Sequence, residues 1–345
     1  MKAAVLEQIN APLCIADVEP GGLAFGQVLV KVLVSGICGA QLQEIAGEKG
    51  NARYVPHLLG HEGCGVVEET GSGVTRVEKG DKVVMHWRKG DGVEADFPTY
   101  TFKGKTIRGG KVTTFSEYAI ASENRVTPVP QEISNDFCAL LGCGLSTALG
   151  AVANEAQVRP GESVMVVGLG GLGACVMKAA RFAQASPIVG IDVFDSKKER
   201  VEALHGDLFV NAAKESIPEA LQREFGARTM DVIIDTSGNA RGIADTLPLL
   251  GEGGRYILAG HIKPGESVEI KMADHLFGSA EGKTIKATQG GRFSPRRDIP
   301  RYVELFQAGS LDIDNLITHR TTLDHVNDAV AMMRAGKANR IMIDL

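Results

Sequence analysis

Several features are missing from this sequence, and each absence excludes a class of protein. No apolar run reaches the roughly 20 residues of a membrane span. There is no basic excess: 37 Lys and Arg against 42 Asp and Glu leave a net charge of −5. A nucleic-acid or membrane-surface partner would want a basic patch, so neither is expected. The one arginine cluster, Arg292, Arg296, Arg297 and Arg301, is too small to change that. No disulfide framework is visible either. The six cysteines, at 14, 38, 64, 138, 143 and 175, are irregularly spaced in a 345-residue chain, and they read as reduced thiols. The opening Met1-Lys2-Ala3-Ala4-Val5-Leu6-Glu7 turns polar too soon for a signal peptide. Cytoplasmic residence is therefore expected. No internal repeat, low-complexity tract or long linker interrupts the chain.

The remainder is ordinary globular material. The length suggests about two domains. Hydrophobic residues make up 44% and charged residues 23%, enough for a sizeable core without external staples. The first third shows strand signals broken by glycine and proline, as in 27–34 and 81–85. From residue 145 the pattern changes. Short apolar strands expected at 164–168, 188–192, 208–211, 232–235 and 256–259 alternate with helical segments. That alternation means βαβ units and a parallel sheet. Beyond about residue 289, amphipathic helices are expected near 299–308 and 323–334, with a last strand over 340–343.

The run Gly60-His61-Glu62-Gly63 stands directly before an apolar strand. Glycine on both sides lets backbone approach closely. A lone His-Glu pair is more often a surface feature than a metal site. Two other positions change its weight. Cys38 ends the apolar stretch Val34-Ser35-Gly36-Ile37, and Cys143 is bracketed by Gly142 and Gly144. Two thiolates and one imidazole suit zinc, and three protein ligands leave a fourth position open, as catalytic sites do.

Gly168-Leu169-Gly170-Gly171-Leu172-Gly173 matches the dinucleotide fingerprint G-x-G-x-x-G. It follows the strand-like Ser163–Val167 and opens a helix whose apolar face is Leu172, Cys175, Val176, Ala179, Ala180 and Ala183, with Lys178 and Arg181 on the other side. Asp192 ends the next strand, 192 − 173 = 19 residues after the last glycine, close to the spacing of about 20 for the ribose-binding acid. Gly168 would make the tight turn, Gly170 would admit the pyrophosphate, and Gly173 would pack helix on strand. An acid at 192 favours NAD over NADP; Lys197 is near enough to weaken the preference.

Taken with these motifs, the chain resembles the zinc-containing medium-chain alcohol dehydrogenases over nearly its whole length. The run Gly60-His61-Glu62 through Gly65, Gly71 and Val74 matches that family's zinc signature. Gly36-Ile37-Cys38-Gly39 and Gly142-Cys143-Gly144-Leu145-Ser146-Thr147 match the segments of the other two zinc cysteines. Thr113–Tyr118 matches the strand before the hinge, and the tail, with Gly290-Gly291, Ile317-Thr318, Gly336 and Arg340, looks most like the class III-like branch. The resemblance implies an α/β protein: a GroES-like, irregular β-rich catalytic domain over 1–144 and 289–345, and a Rossmann doubly wound parallel-sheet coenzyme domain over 145–288, with the active-site cleft between them. It implies that Cys38, His61 and Cys143 bind zinc, with Glu62 among or beside the ligands. Thr147 and Arg340 fall on cofactor-contacting positions, and Trp87 on a position lining the substrate pocket. A homodimer or homotetramer is the family's usual assembly.

Two departures stand out. The stretch from Trp87 to Lys111, where many relatives carry four cysteines around a second, structural zinc, has none. One zinc per chain is therefore expected. The position two residues after Cys38, usually a proton-passing Thr or Ser, is Ala40; the next, usually an acid bonded to the zinc-binding histidine, is Gln41, which can still accept from the imidazole N–H but adds no charge, and a further relay position is Gln43. Water, a substrate hydroxyl or His86 would have to carry the proton instead. The leading expectation is a zinc-dependent oxidoreductase moving a hydride between NAD and a primary or secondary alcohol or its carbonyl, with a polyol or sugar derivative among the candidates. The alternatives are a redox-neutral enzyme that oxidises its substrate transiently with tightly held NAD, for elimination or epimerisation, and a non-catalytic nucleotide-binding protein.

Overall fold

The computed structural model describes residues 1–227, 229–270 and 282–345. The chain divides into two compact units. One holds Met1–Ser146, Ser294–Asp312 and Ile317–Leu345; the other holds Thr147–Phe293 and Ile313–Leu316. The expected boundaries lay at 144/145 and 288/289. The break in the structure falls two residues later at the first, five later at the second, and returns four residues near 315 to the second unit.

The first unit is built on β-structure from both ends of the chain. Its larger sheet has seven strands. Six follow the order Val126–Pro128, Lys82–His86, Glu62–Thr70, Gln27–Ile37, Ile341–Asp344 and His319–Thr322, and Tyr118–Ser122 also pairs with Gln27–Ile37. Gln27–Ile37 is the spine because its valines alternate with exposed or half-buried residues along the first turns of the strand, the period-2 pattern of a one-sided strand. Val28, Val30, Val32, Val67, Val83 and Met85 make one core under it, each large aliphatic side chain contributing about 1.5–3 kcal/mol on burial. The last strand pairs Ile341 with Ile37, so the carboxyl end of the chain is pinned to the segment that delivers Cys38. A second, six-stranded sheet includes the hairpin Thr99–Phe102 and Lys105–Arg108.

The second unit is a six-stranded, all-parallel sheet in the order Leu208–Asn211, Ile188–Asp192, Val164–Val167, Met230–Asp235, Leu250–Leu258 and Thr284–Ala287. The chain winds one way from Val164–Val167 and then the other. That strand is therefore the switch point, where doubly wound sheets open a crevice at their carboxyl ends. Gly168 is the first residue past it.

Five of these strands fall where the apolar runs put them. The sixth, Thr284–Ala287, was not expected: it is an edge strand, mostly exposed, and carries Thr and Lys rather than an apolar run. Leu250–Leu258 starts six residues before its expected beginning, through a polar, glycine-rich stretch that still pairs with Met230. The helix after the glycine loop is Gly171–Phe182. Lys178, placed by periodicity on its outer side, is only 7% exposed. The tail helices run over Pro295–Gln307 and Val326–Arg334. Among the described residues no single helix is long and apolar enough to cross a membrane.

Candidate functional site

Three loop ends of the first unit meet at one place. Cys38 sits between the strand Gln27–Ile37 and the short helix Gly39–Ile45, His61 precedes the strand Glu62–Thr70, and Cys143 lies in the turn between Asn135–Leu141 and Gly144–Gly150. One donor atom from each lies within 4.8 Å of the other two. All three are partly buried. The His61 Nε2 is buried and has no hydrogen-bond partner, while its Nδ1 lies 2.6 Å from Gln41 Nε2. An imidazole held at one nitrogen and presenting the other is the arrangement a metal ligand needs.

The charge balance points the same way. The Cys38 thiol is held well below its ordinary value because the Cys143 thiol donates to its thiolate, with His61 and Arg340 adding to the effect. Cys143, the donor, is pushed up correspondingly. Burial disfavours a charged His61, but the Cys38 thiolate more than offsets this, and its pKa rises. A buried centre that already gathers negative sulfur and crowds protons onto neighbours is one a divalent cation would relieve.

Gln41 does two jobs. Its Oε1 accepts the Cys38 backbone N–H at 3.0 Å, and its carboxamide nitrogen faces His61. Metal ligation through Nε2 requires the imidazole proton on Nδ1 and an oxygen to receive it. Turning the Gln41 carboxamide about its last torsion would bring its oxygen to Nδ1 in exchange for the bond from the Cys38 N–H. Its place three residues after Cys38, in the helix's first turn, was the sequence signal for such a reach-back.

Glu62 stands outside the three-residue group. Its carboxylate is occupied: Oε1 pairs with Arg340 and Oε2 accepts the Gly144 N–H at 3.0 Å. Burial raises its pKa, and Arg340 opposes the rise. Glycines surround the pair for a steric reason. A Cβ on Gly144 would strike the Arg340 guanidinium, and one on Gly36 would strike the Glu62 carboxylate. Arg340 itself is 1% exposed. Its guanidinium is thus directed at Glu62, an engagement the sequence did not reveal.

The proposed proton carriers fare differently. His86 is fully buried, with Nδ1 donating to the Arg88 carbonyl at 2.7 Å and Nε2 taking the Thr127 hydroxyl at 2.9 Å. Burial lowers its pKa to about 4. Both ring nitrogens are taken, so the expectation of a proton-carrying His86 is corrected: this imidazole is a neutral structural group. Ala40 and Gln43 lie in the helix that begins after Cys38, and neither side chain can relay a proton. Trp87 is partly buried, and its indole nitrogen is buried without a partner.

In the second unit the loop 168–173 has the geometry a pyrophosphate needs. A Cβ on Gly173 would run into the Gly168 carbonyl, whereas nothing lies within 4 Å of one on Gly170. Gly171 and Leu172 begin the helix. Asp192 accepts three backbone N–H groups: Leu169 at 2.8 Å on Oδ2, and Val193 at 2.7 Å and Phe194 at 3.2 Å on Oδ1. It is therefore a loop-shaping acid, and a carboxylate's roughly four acceptor sites leave one for a ribose hydroxyl. Lys197 is 5% exposed, its pKa lowered by burial against the pull of Asp192. The Thr147 hydroxyl is buried and unpartnered.

Known proteins resemble the chain end to end. Residues 24–131 match the alcohol dehydrogenase GroES-like domain, and residues 171–308 match the zinc-binding dehydrogenase domain. An S-(hydroxymethyl)glutathione dehydrogenase from Escherichia coli is 29% identical over 369 aligned positions, covering 99% of each chain. The chain belongs to the zinc-containing medium-chain alcohol dehydrogenases. Among solved structures, a zinc-binding-domain alcohol dehydrogenase protein from Burkholderia ambifaria superposes with a TM-score of 0.91 at 27% identity, covering 100% of this chain and 98% of that one. Benzyl alcohol dehydrogenase from Acinetobacter calcoaceticus shares the fold, with a TM-score of 0.88 at 24% identity over 100% and 99%. Membership makes the chain a zinc-dependent, NAD(P)-linked alcohol dehydrogenase-type enzyme with a GroES-like and a Rossmann part.

This alcohol dehydrogenase fastens its cysteine-free lobe with carboxylates. Glu123, 1% exposed, accepts the backbone N–H groups of Thr75, Arg76 and Val93 at 2.6, 2.8 and 2.8 Å. Glu94 takes Arg125 at 3.0 Å and Asn124 at 2.9 Å. Burial would raise Glu94, but Asn124, Arg125 and Lys111 together hold it at about 2. Neither acid stood out in the sequence, because their partners are backbone groups and distant cations.

Proposed function

We propose that Cys38, His61 and Cys143 hold one zinc ion and that the enzyme interconverts an alcohol and its carbonyl with NAD. The observation that carries this is the gathering of two thiols and an unpartnered imidazole nitrogen within 4.8 Å. Zinc bound there supplies Lewis acidity, and the dinucleotide accepts or returns the hydride. Cys38 and Cys143 provide the anionic donors. Gln41 orients the imidazole through its hydrogen bond with Nδ1. Glu62 and Arg340 brace the Cys143 turn from behind through the Gly144 amide.

The glycine loop, Thr147, Lys197 and the remaining acceptor site of Asp192 hold the cofactor, and the acid's charge disfavours a 2′-phosphate. With Ala40 and Gln43 unable to pass a proton and His86 locked, the alcohol proton leaves through water or through a hydroxyl of the substrate. That favours small primary or secondary alcohols, including polyols and sugar derivatives. The hydroxymethyl adduct named for the Escherichia coli relative belongs on the same panel. Zinc-loaded enzyme assayed on alcohols, polyols, sugar derivatives and that adduct, with NAD and with NADP, tests the proposal. NAD-linked turnover that disappears with zinc is the expected result.

The missing relay also favours a second reading, transient oxidation by a tightly held NAD. Its signature is cofactor that copurifies and product formation with no net NADH.

A further inference from the structure

A second pair of thiols lies apart from Cys38 and Cys143. Cys64 is on the strand Glu62–Thr70, three residues after His61, and Cys138 is on the helix Asn135–Leu141, five residues before Cys143. Both are free and wholly buried. The helix packs on this strand. Cys64 Sγ lies 3.8 Å from Asn135 Oδ1, and Cys138 follows Asn135 by three residues, on the same side of the helix. There the two sulfurs meet, the Cys64 thiol donating to Cys138.

A buried cation stands beside them. The strand Lys82–His86 sets Val84 opposite Cys64 and Lys82 opposite Val66, so Lys82 shares the Cys64 face of the sheet. It is 6% exposed, and its Nζ donates to the Gln131 carbonyl at 3.0 Å and to the Ile133 carbonyl, just before the helix. The bond from Cys64 outweighs burial and, with the Lys82 charge, holds the Cys138 thiol below its ordinary value; the donor Cys64 is pushed up. A thiolate-prone sulfur with a second thiol in contact is the arrangement of a nucleophilic cysteine and its resolving partner.

We infer that Cys64 and Cys138 form an oxidisable dithiol whose disulfide fastens the strand after His61 to the helix before Cys143. Nothing in this requires a metal at Cys38, His61 and Cys143. Burial sets the oxidant, which must be small and uncharged, as hydrogen peroxide is, and which reaches the sulfurs through local openings. The Cys138 thiolate attacks one peroxide oxygen and the O–O bond breaks. Cys138 becomes a sulfenic acid, and the departing hydroxide takes the proton that the thiol gave up, leaving as water. The Cys64 sulfur then attacks the sulfenic sulfur. The S–S bond forms, the S–O bond breaks, and the hydroxide leaves with the Cys64 proton as a second water. The two sulfurs lose the two electrons that reduce the peroxide. The bond closes the long segment between the two cysteines and so restricts the unfolded chain.

The test treats the whole chain, kept with zinc, with hydrogen peroxide and maps the unreduced digest by mass spectrometry. A linked Cys64–Cys138 peptide that dithiothreitol separates is the expected product. Cys64→Ala gives a second reading. Its Cys138 sulfenic acid has no partner, so dimedone present during oxidation should label Cys138 severalfold more than in the parent. Dithiothreitol should lower the melting temperature of the oxidised parent by about 5 °C and leave that of oxidised Cys64→Ala unchanged. Cys64 and Cys138 still free in parent protein whose partly exposed Cys14 is fully oxidised would overturn the inference, and this mapping stands whether or not the variant folds. Equal dimedone labelling of Cys138 in parent and variant, or a parent melting temperature that reduction does not lower, would also overturn it.

Discussion

Glu62 and Arg340 form a buried ion pair across 278 positions of sequence. Both are essentially without solvent exposure, and the Gly144 amide closes the group from the Cys143 side. The pair therefore couples the carboxyl-terminal strand to the turn that carries Cys143. Removing one partner of such a pair strands the other charge in a medium that cannot solvate it. Arg340→Met and Glu62→Gln should each destabilise the fold by about 3–5 kcal/mol, since each leaves a buried charge without its partner. Denaturant unfolding of the two variants and of the double variant checks this; a double variant as unstable as the sum of the two singles would speak against an ion pair that matters.

The locked state of His86 has a pH consequence. Its folded pKa, about 4, lies below the ordinary 6.5, so the unfolded chain binds a proton the folded one refuses. Stability is then retained above about 6.5 and lost as pH falls towards 4, by on the order of 3 kcal/mol at most. His86→Gln should flatten that part of the acid limb in denaturation curves recorded from neutral pH downward. An unchanged slope would mean other groups set it.

Much of this was legible in the sequence, for reasons that differ by element. The glycine loop and its flanking strand are local patterns, and Cys38, His61 and Cys143 each stand in a short glycine-flanked motif. The edge strand Thr284–Ala287 was not legible because exposed edges need no apolar run. Glu62's partner was not legible because Arg340 lies at the far end of the chain. His86's was unsettled because nothing local shows that the Thr127 hydroxyl and Arg88 carbonyl would take both nitrogens. Gln41 was legible as the partner of the His61 ring from its place after Cys38, and the structure sets its carboxamide 2.6 Å from Nδ1.

Asp192 shapes the nucleotide loop through three backbone N–H groups and, on the present proposal, repels a 2′-phosphate. Asp192→Asn keeps one acceptor oxygen and removes the charge. The ratio of kcat/KM for NAD over NADP should fall by about tenfold, read in paired cofactor titrations. A ratio that stays put would leave the acid a purely structural role.

Glu123 carries the cysteine-free lobe. Glu123→Ala leaves three backbone donors without their acceptor and should cost about 2–4 kcal/mol. A zinc chelator, by contrast, should leave that stability contribution untouched. The check is thermal unfolding of parent and variant with and without chelator; a chelator effect that vanishes in the variant would place a metal in the lobe.

The most direct measurement is zinc content per chain, in the parent enzyme and in Cys38→Ser, His61→Ala and Cys143→Ser variants confirmed as folded. One zinc in the parent and near none in each variant is the expected result. Two zinc ions in the parent, or a full complement retained by the folded variants, would contradict a single catalytic site built from Cys38, His61 and Cys143.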